Sequence, residues 1–179
     1  MPHTERFTIA DLDAMPDDGF RRELLDGVLL VNPLAASRHQ LVAMRLYSRL
    51  AVYLQTHATG VALAPGRVQR ADDTALEPDI LVLPGPEAVA VRDWADQPTP
   101  LLVVEIVSPS SRSFDHVLKR DAYMRLGVPE YWIVDPRDHC VVVVTQAAAE
   151  QRVIGTLEWR PSNTHEPFLL EVSALFADL

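Results

Sequence analysis

Seven residues in the middle of the chain, LLVVEIV at 101–107, limit the fold more than any other feature. A strand with one wet face alternates apolar and polar side chains, whereas this run is apolar on both sides, so it predicts a strand covered on both faces. Glu105 interrupts it. Burying an ionised carboxylate costs several kcal/mol unless the charge is paired or bound to a metal. Three resolutions are open: an arginine or lysine partner, a raised pKa, or a cation.

The flanks predict a mixed sheet. After the strand come SPSSRSF and a helical pattern over about 114–126, ended by Gly127 and Pro129. EYWIVD at 130–135 and CVVVVT at 140–145 then read as a strand and its hairpin mate. Upstream, RRELLDGVLLVN at 21–32 places Asp26-Gly27 between two apolar runs, a strong hairpin signal, with Pro33 as the stop. Val42, Leu46, Leu50 and Leu54 predict a helix from Ser37 to about His57, with Gly60 as its terminator. TIADLDAMP at 8–16 suggests a short capped helix. Short strands are expected at 61–64 and 67–70, hinged at Pro65-Gly66, and at 79–83. Residues 84–100 read as a loop with at most a turn of helix, 152–159 and 168–172 as edge strands, and VSALFADL as a closing helix. The order fits an α/β (α+β) domain with a mixed sheet flanked by helices, not a doubly wound fold.

The 179 residues suit one domain over 1–179, with no repeat or linker. No apolar run approaches the roughly 20 residues of a membrane helix, and MPHTERFTIADLDAMP lacks a signal-peptide pattern. The expectation is a soluble cytoplasmic protein without a membrane partner. Cys140 is the only cysteine, which excludes an internal disulfide and cysteine zinc clusters; it reads as a strand residue.

Of the basic residues, fifteen are arginine and one, Lys119, is lysine. A GC-rich coding bias explains that imbalance, and it marks Lys119 as a candidate for a place where an ammonium matters. Asp115, Lys119 and Tyr123 are four apart and share a helix face. The lysine either forms a surface pair with Asp115 or is aimed at the sheet. Asp79 opens the apolar strand DILVL, with Glu77 nearby. Asp79 and Glu105 meet if their strands are neighbours, and two hard oxygen ligands with a main-chain carbonyl suit Mg²⁺.

EPDILVL, followed by LVVEIVSPSSRSFDHVLKRDAYMRLGVPEYWIVD, closely resembles the Uma-two family of restriction-endonuclease-like proteins, within the PD-(D/E)XK nuclease superfamily. RRELLDGVLLV, the His39-Gln40 helix and the C-terminal LLEVSALF fit the same layout, so the resemblance covers nearly the whole chain. It implies a restriction-endonuclease-like sheet with an acidic metal site at one end, taking Mg²⁺ or Mn²⁺. Pro78-Asp79 resembles the PD element and Glu105 the (D/E) position. Val107 stands where the superfamily has lysine, and Lys119 on the following helix replaces it. Glu23 resembles an extra N-terminal acid, and His39 a family histidine.

The implied activity is metal-assisted hydrolysis of DNA phosphodiester bonds. Asp79, Glu105 and the Ile106 carbonyl would be the metal ligands, Lys119 would orient water or neutralise transition-state charge, and Glu23 would act through a second cation or water. Asp115, Tyr123 and His39 are accessory candidates. Ser108, in the Ser108-Pro109-Ser110-Ser111 turn, could help hold phosphate at a helix N-terminus, or the turn is a plain strand exit and cap.

A net charge of −9 argues against a strong non-specific grip on duplex DNA. Arg38, Arg45 and Arg49 could form a basic ridge, with Arg21, Arg22, Arg112 and Arg120 nearer the site. No base-reading motif or specificity domain is visible. The alternative is a non-catalytic binding or assembly module with a nuclease fold. A glycosidase lacks support, since no aromatic sugar platform is present. A homodimer stays open, because exposed hairpins pair readily.

Overall fold

The computed structural model describes residues 6–32, 35–85, 88, 90, 93–108, 112, 114–162 and 165–179. Helix α1 (Ile9–Asp13) opens with a reciprocal cap between Thr8 and Asp11. Strands β1 (Arg21–Leu25) and β2 (Val28–Asn32) form the expected hairpin. Asp26 and Gly27 take φ of 49° and 76°, the left-handed pair that a tight two-residue turn requires. Helix α2 (Ser37–His57) buries Val42, Ala43, Leu46, Leu50 and Leu54 as one stripe. It ends on Ala58 in the left-handed region at φ 51°, not on Gly60. Gly60 serves close approach instead: a Cβ there would lie 2.5 Å from the Leu83 carbonyl oxygen.

Next come β3 (Gly60–Leu63), β4 (Val68–Arg70), β5 (Thr74–Leu76), β6 (Ile80–Pro84) and β7 (Leu102–Ile106). Strand β5 was not expected; three residues are too few to show a period. The anticipated helix after β7 divides into a π-helix (Phe114–Lys119) and α3 (Arg120–Arg125). Strands β8 (Glu130–Asp135), β9 (Cys140–Thr145), β10 (Gln151–Val153), β11 (Thr156–Trp159) and β12 (Phe168–Glu171) follow. A short 3-10 helix (Val172–Leu175) comes last.

The central sheet has the order β10-β9-β8-β7-β6-β3, with β7 buried along its whole length. Only the β7–β8 pair within it is parallel, its crossover made by the π-helix and α3. One face carries Leu102, Val104, Ile106 and Trp132 against α2 and the β11–β12 hairpin. The other carries Leu81, Val103, Tyr131 and Ile133 against α3 and Leu25 of β1. A second sheet, β2-β1-β5-β4, lies on that side and brings the hairpin to the end of β7. The fold is mixed α+β. Among the described residues, no helix is long and apolar enough to cross a membrane.

Candidate active site

Strand register brings the two acids together. Ile80 of β6 lies opposite Val104 of β7 in an antiparallel pair, so one further step sets Asp79 across from Glu105. Side chains alternate along strands, which places both carboxylates on the face of Leu81 and Val103. Strand β1 approaches that face with Arg21 and Glu23, two residues apart and hence on one side. The π-helix and α3 supply Asp115, Lys119 and Tyr123. The wider π turn, a form common at functional sites, carries the lysine inward.

Lys119 is the hub. Its Nζ lies 2.9 Å from Glu105 Oε1, 2.8 Å from Glu23 Oε2 and 3.8 Å from Asp115 Oδ1. Tyr123 donates its hydroxyl to Glu105 Oε1 at 3.0 Å. Glu23 accepts from Asn32 Nδ2 and from the Glu77 backbone N–H, each at 2.7 Å. Asp79 Oδ2 accepts the Ile106 N–H at 2.8 Å and lies 3.1 Å from His39 Nε2. Asp79 Oδ1 accepts from Arg21 Nη1 at 2.9 Å, and Arg21 Nη2 stands 3.9 Å from Glu105 Oε2. Lys119, Glu23, Glu105 and Asp115 are buried, whereas a quarter of the Arg21 side chain (26%) reaches solvent.

Electrostatics separate the two acids. Burial opposes ionisation of Asp79, but His39, Arg21 and the Ile106 N–H outweigh it and hold its carboxyl down at about 2. For Glu105 burial dominates; Asp79, Glu23 and Asp115 add to it, Lys119 opposes it, and the carboxyl rises to about 8. Burial alone would lower Lys119, yet Glu105, Glu23 and Asp115 reverse that and raise it. A carboxyl raised in the folded state keeps its proton while the unfolded chain loses it, so stability falls as pH rises between about 4.5 and 8. In metal-free buffer, Glu105→Gln should therefore gain on the wild type across that window, most at its upper end. Paired urea titrations at pH 5 and pH 8 check this; an equal difference at both pH values would contradict it.

The outward carboxylate oxygens suit a hard cation. Glu105 Oε1 and Asp79 Oδ2 are engaged inward by Lys119, Tyr123, Ile106 and His39. Their partners, Glu105 Oε2 and Asp79 Oδ1, both face the one guanidinium of Arg21. Among the described residues no three His, Cys, Asp or Glu side chains are grouped to hold a metal. Mg²⁺ commonly takes one or two carboxylates and completes its shell with water and substrate, so two acids suffice.

Asp79, Glu105, Lys119, Glu23, His39, Asp115 and Tyr123 thus converge, and Ile106 joins them through its N–H. Ser108 lies just beyond β7, and the rest of its turn, Pro109 to Ser111, falls outside the described residues. Arg21 was expected near the site, but its bridging position and the contacts of Asn32 and Glu77 were not. Hairpin register carried the signal: Arg21 lies opposite Asn32, and Glu23 shares the Arg21 side.

Of the expected ridge, Arg38 and Arg49 stay exposed on α2, whereas Arg45 turns to the C-terminal segment. Arg45 donates to the Leu175 and Ala177 carbonyls, and Arg49 to the Arg45 carbonyl. Arg22 pairs with Asp18, Arg112 with Asp135, and Arg120 with Asp121 and Glu150.

A mixed sheet whose neighbouring strand ends oppose two carboxylates has the architecture of restriction-endonuclease-like proteins. The fold is similar to that of a solved structure titled "a putative nuclease belonging to DUF820 from Anabaena variabilis ATCC 29413", with TM-score 0.80, 17% identity, and 96% of this chain and 98% of that one covered. Residues 9–176 match the Uma2 family, described as "Putative restriction endonuclease", and the chain belongs to that family. No protein of curated function matches the sequence.

Proposed function

We propose that this protein is a Mg²⁺- or Mn²⁺-dependent endonuclease that hydrolyses DNA phosphodiester bonds. The observation that carries this reading is the division of labour in the two carboxylates: one oxygen of each is anchored inward and the other faces a shared cationic position. Asp79 Oδ1, Glu105 Oε2 and the Ile106 carbonyl are the proposed ligands. The chemistry a divalent cation supplies there is polarisation of a phosphate oxygen and a lowered pKa for attacking water. Lys119 fixes Glu105 and places positive charge beside the reacting phosphate. Glu23 holds Lys119 in place, His39 orients Asp79, and Tyr123 orients Glu105. Asp115 keeps the lysine charged, and Ser108 at the exit of β7 is the proposed contact to a phosphate oxygen.

A second reading, a non-catalytic DNA- or protein-binding module, draws on the net charge of −9 and on the pairing of Arg22, Arg112 and Arg120 with acids, which weaken the electrostatic grip on duplex. Cleavage of supercoiled plasmid and of single-stranded DNA with Mg²⁺ or Mn²⁺ separates the two. Wild type should nick DNA, and Asp79→Asn, with its fold verified by circular dichroism, should lose about 100-fold or more. Cleavage undiminished in Asp79→Asn would sink the assignment; absence of both cleavage and cation binding in the wild type would favour the module.

A further inference from the structure

Arg21 is bound in an unusual way for a buried guanidinium. An arginine retained for structure ordinarily uses its planar fork on a carboxylate. Here Nη1 alone is hydrogen-bonded to an acid, and Nε and Nη2 are buried without a hydrogen-bond partner. Desolvation without hydrogen bonds is costly, so charge holds the group in place. The carboxylates of Asp79 at 2.9 Å and of Glu105 and Glu77, each at 3.9 Å, supply that attraction.

Its position explains the arrangement. The guanidinium contacts the two oxygens, Asp79 Oδ1 and Glu105 Oε2, that no other described group engages. Arg21 is the first residue of β1 and follows the exposed Phe20, and its side chain is more open to solvent than Asp79, Glu105 or Lys119. The long side chain can therefore turn outward about its own torsions while the strand stays paired. Lys119 has no such freedom, since it is enclosed by three carboxylates.

We infer that Arg21 is the resident counter-ion of the cation-free site. Its guanidinium and a divalent cation are alternative occupants of the space between Asp79 and Glu105. On loading, Arg21 turns out to the rim, where a planar, permanently charged fork meets the phosphodiester of the nucleic acid. This deepens the nuclease reading and rests on it: Arg21 sets the threshold for cation binding and becomes a substrate-positioning residue once displaced.

Calorimetric titration of the whole chain with Mn²⁺, without DNA, tests the competition. Arg21→Gln should bind Mn²⁺ about 10-fold tighter than wild type, because the competing charge is gone, while Asp79→Asn loses binding. Mn²⁺ binding by the wild type with no tightening in Arg21→Gln would overturn the counter-ion role and leave the nuclease reading standing. No Mn²⁺ binding by either would overturn both. Should Arg21→Gln fail to fold, the wild type decides through its ¹⁵N-labelled arginine side chains. The Arg21 Nε–H should pass from slow to fast solvent exchange as Mg²⁺ saturates the site, and continued protection would refute the displacement.

Discussion

Lys119→Met is expected to lower stability by about 3–5 kcal/mol, because removing one partner of a buried ionic cluster leaves the others uncompensated. In a chain of 179 residues this corresponds to a melting point lower by roughly 10 °C. Lys119 is 4% exposed and neutralises Glu23 and Glu105 at hydrogen-bonding distance, with Asp115 just beyond. Without the ammonium Glu105 loses the neighbour that opposes its upward shift, so the deficit should be largest near neutrality and shrink on acidification. Lys119→Arg should recover little, since a planar fork cannot occupy a point enclosed by three carboxylates. Urea unfolding at pH 5 and pH 7.5 measures all of these, and a loss below about 1 kcal/mol at neutral pH would mean that the lysine is a surface residue.

The same residue shows what was legible beforehand. One lysine among fifteen arginines, four residues from both Asp115 and Tyr123, marked a helix face, and the apolar run around Glu105 marked a buried charge that needed a partner. Helical and strand periods resolve such relations because they are local. The pairing of β6 with β7 then places Asp79 opposite Glu105, as the two apolar strands suggested. Arg21 was less legible: the hairpin pattern fixes which side of β1 it occupies, but not that a second sheet folds back over the end of β7. That closure is a long-range packing event, carried by Leu25, Val68 and Leu76 against Leu81 and Val103. Nor does residue spacing distinguish a π turn from an α turn over Phe114–Lys119, because the difference lies in backbone hydrogen bonds. Arg45 left the α2 ridge for a comparable reason: the C-terminal segment that captures it lies 130 residues away in sequence.

Stability and site chemistry should come apart at Trp132, for which Trp132→Ala is expected to cost about 3–5 kcal/mol. The ring is fully buried, edge-on to Trp159 at 6.0 Å and stacked on Phe168 at 6.3 Å, so it joins β8 to the β11–β12 hairpin. Its Nε1–H donates to Glu130 Oε1 at 2.6 Å, a bond lost with the ring. The cavity left behind would be lined by Trp159, Phe168 and other members of the same core cluster, which cannot all close inward together. Yet Trp132 faces α2, whereas Glu105, Lys119 and Tyr123 occupy the opposite side of the sheet. Well below its midpoint Trp132→Ala should therefore keep the wild-type Mn²⁺ affinity, while Lys119→Met, destabilised to a similar degree, should not. Urea unfolding and calorimetry on the same samples decide between local and global effects. If folded Trp132→Ala lost Mn²⁺ binding, the two faces of the sheet would be coupled, and the site could not be assigned to the Asp79–Glu105 side alone.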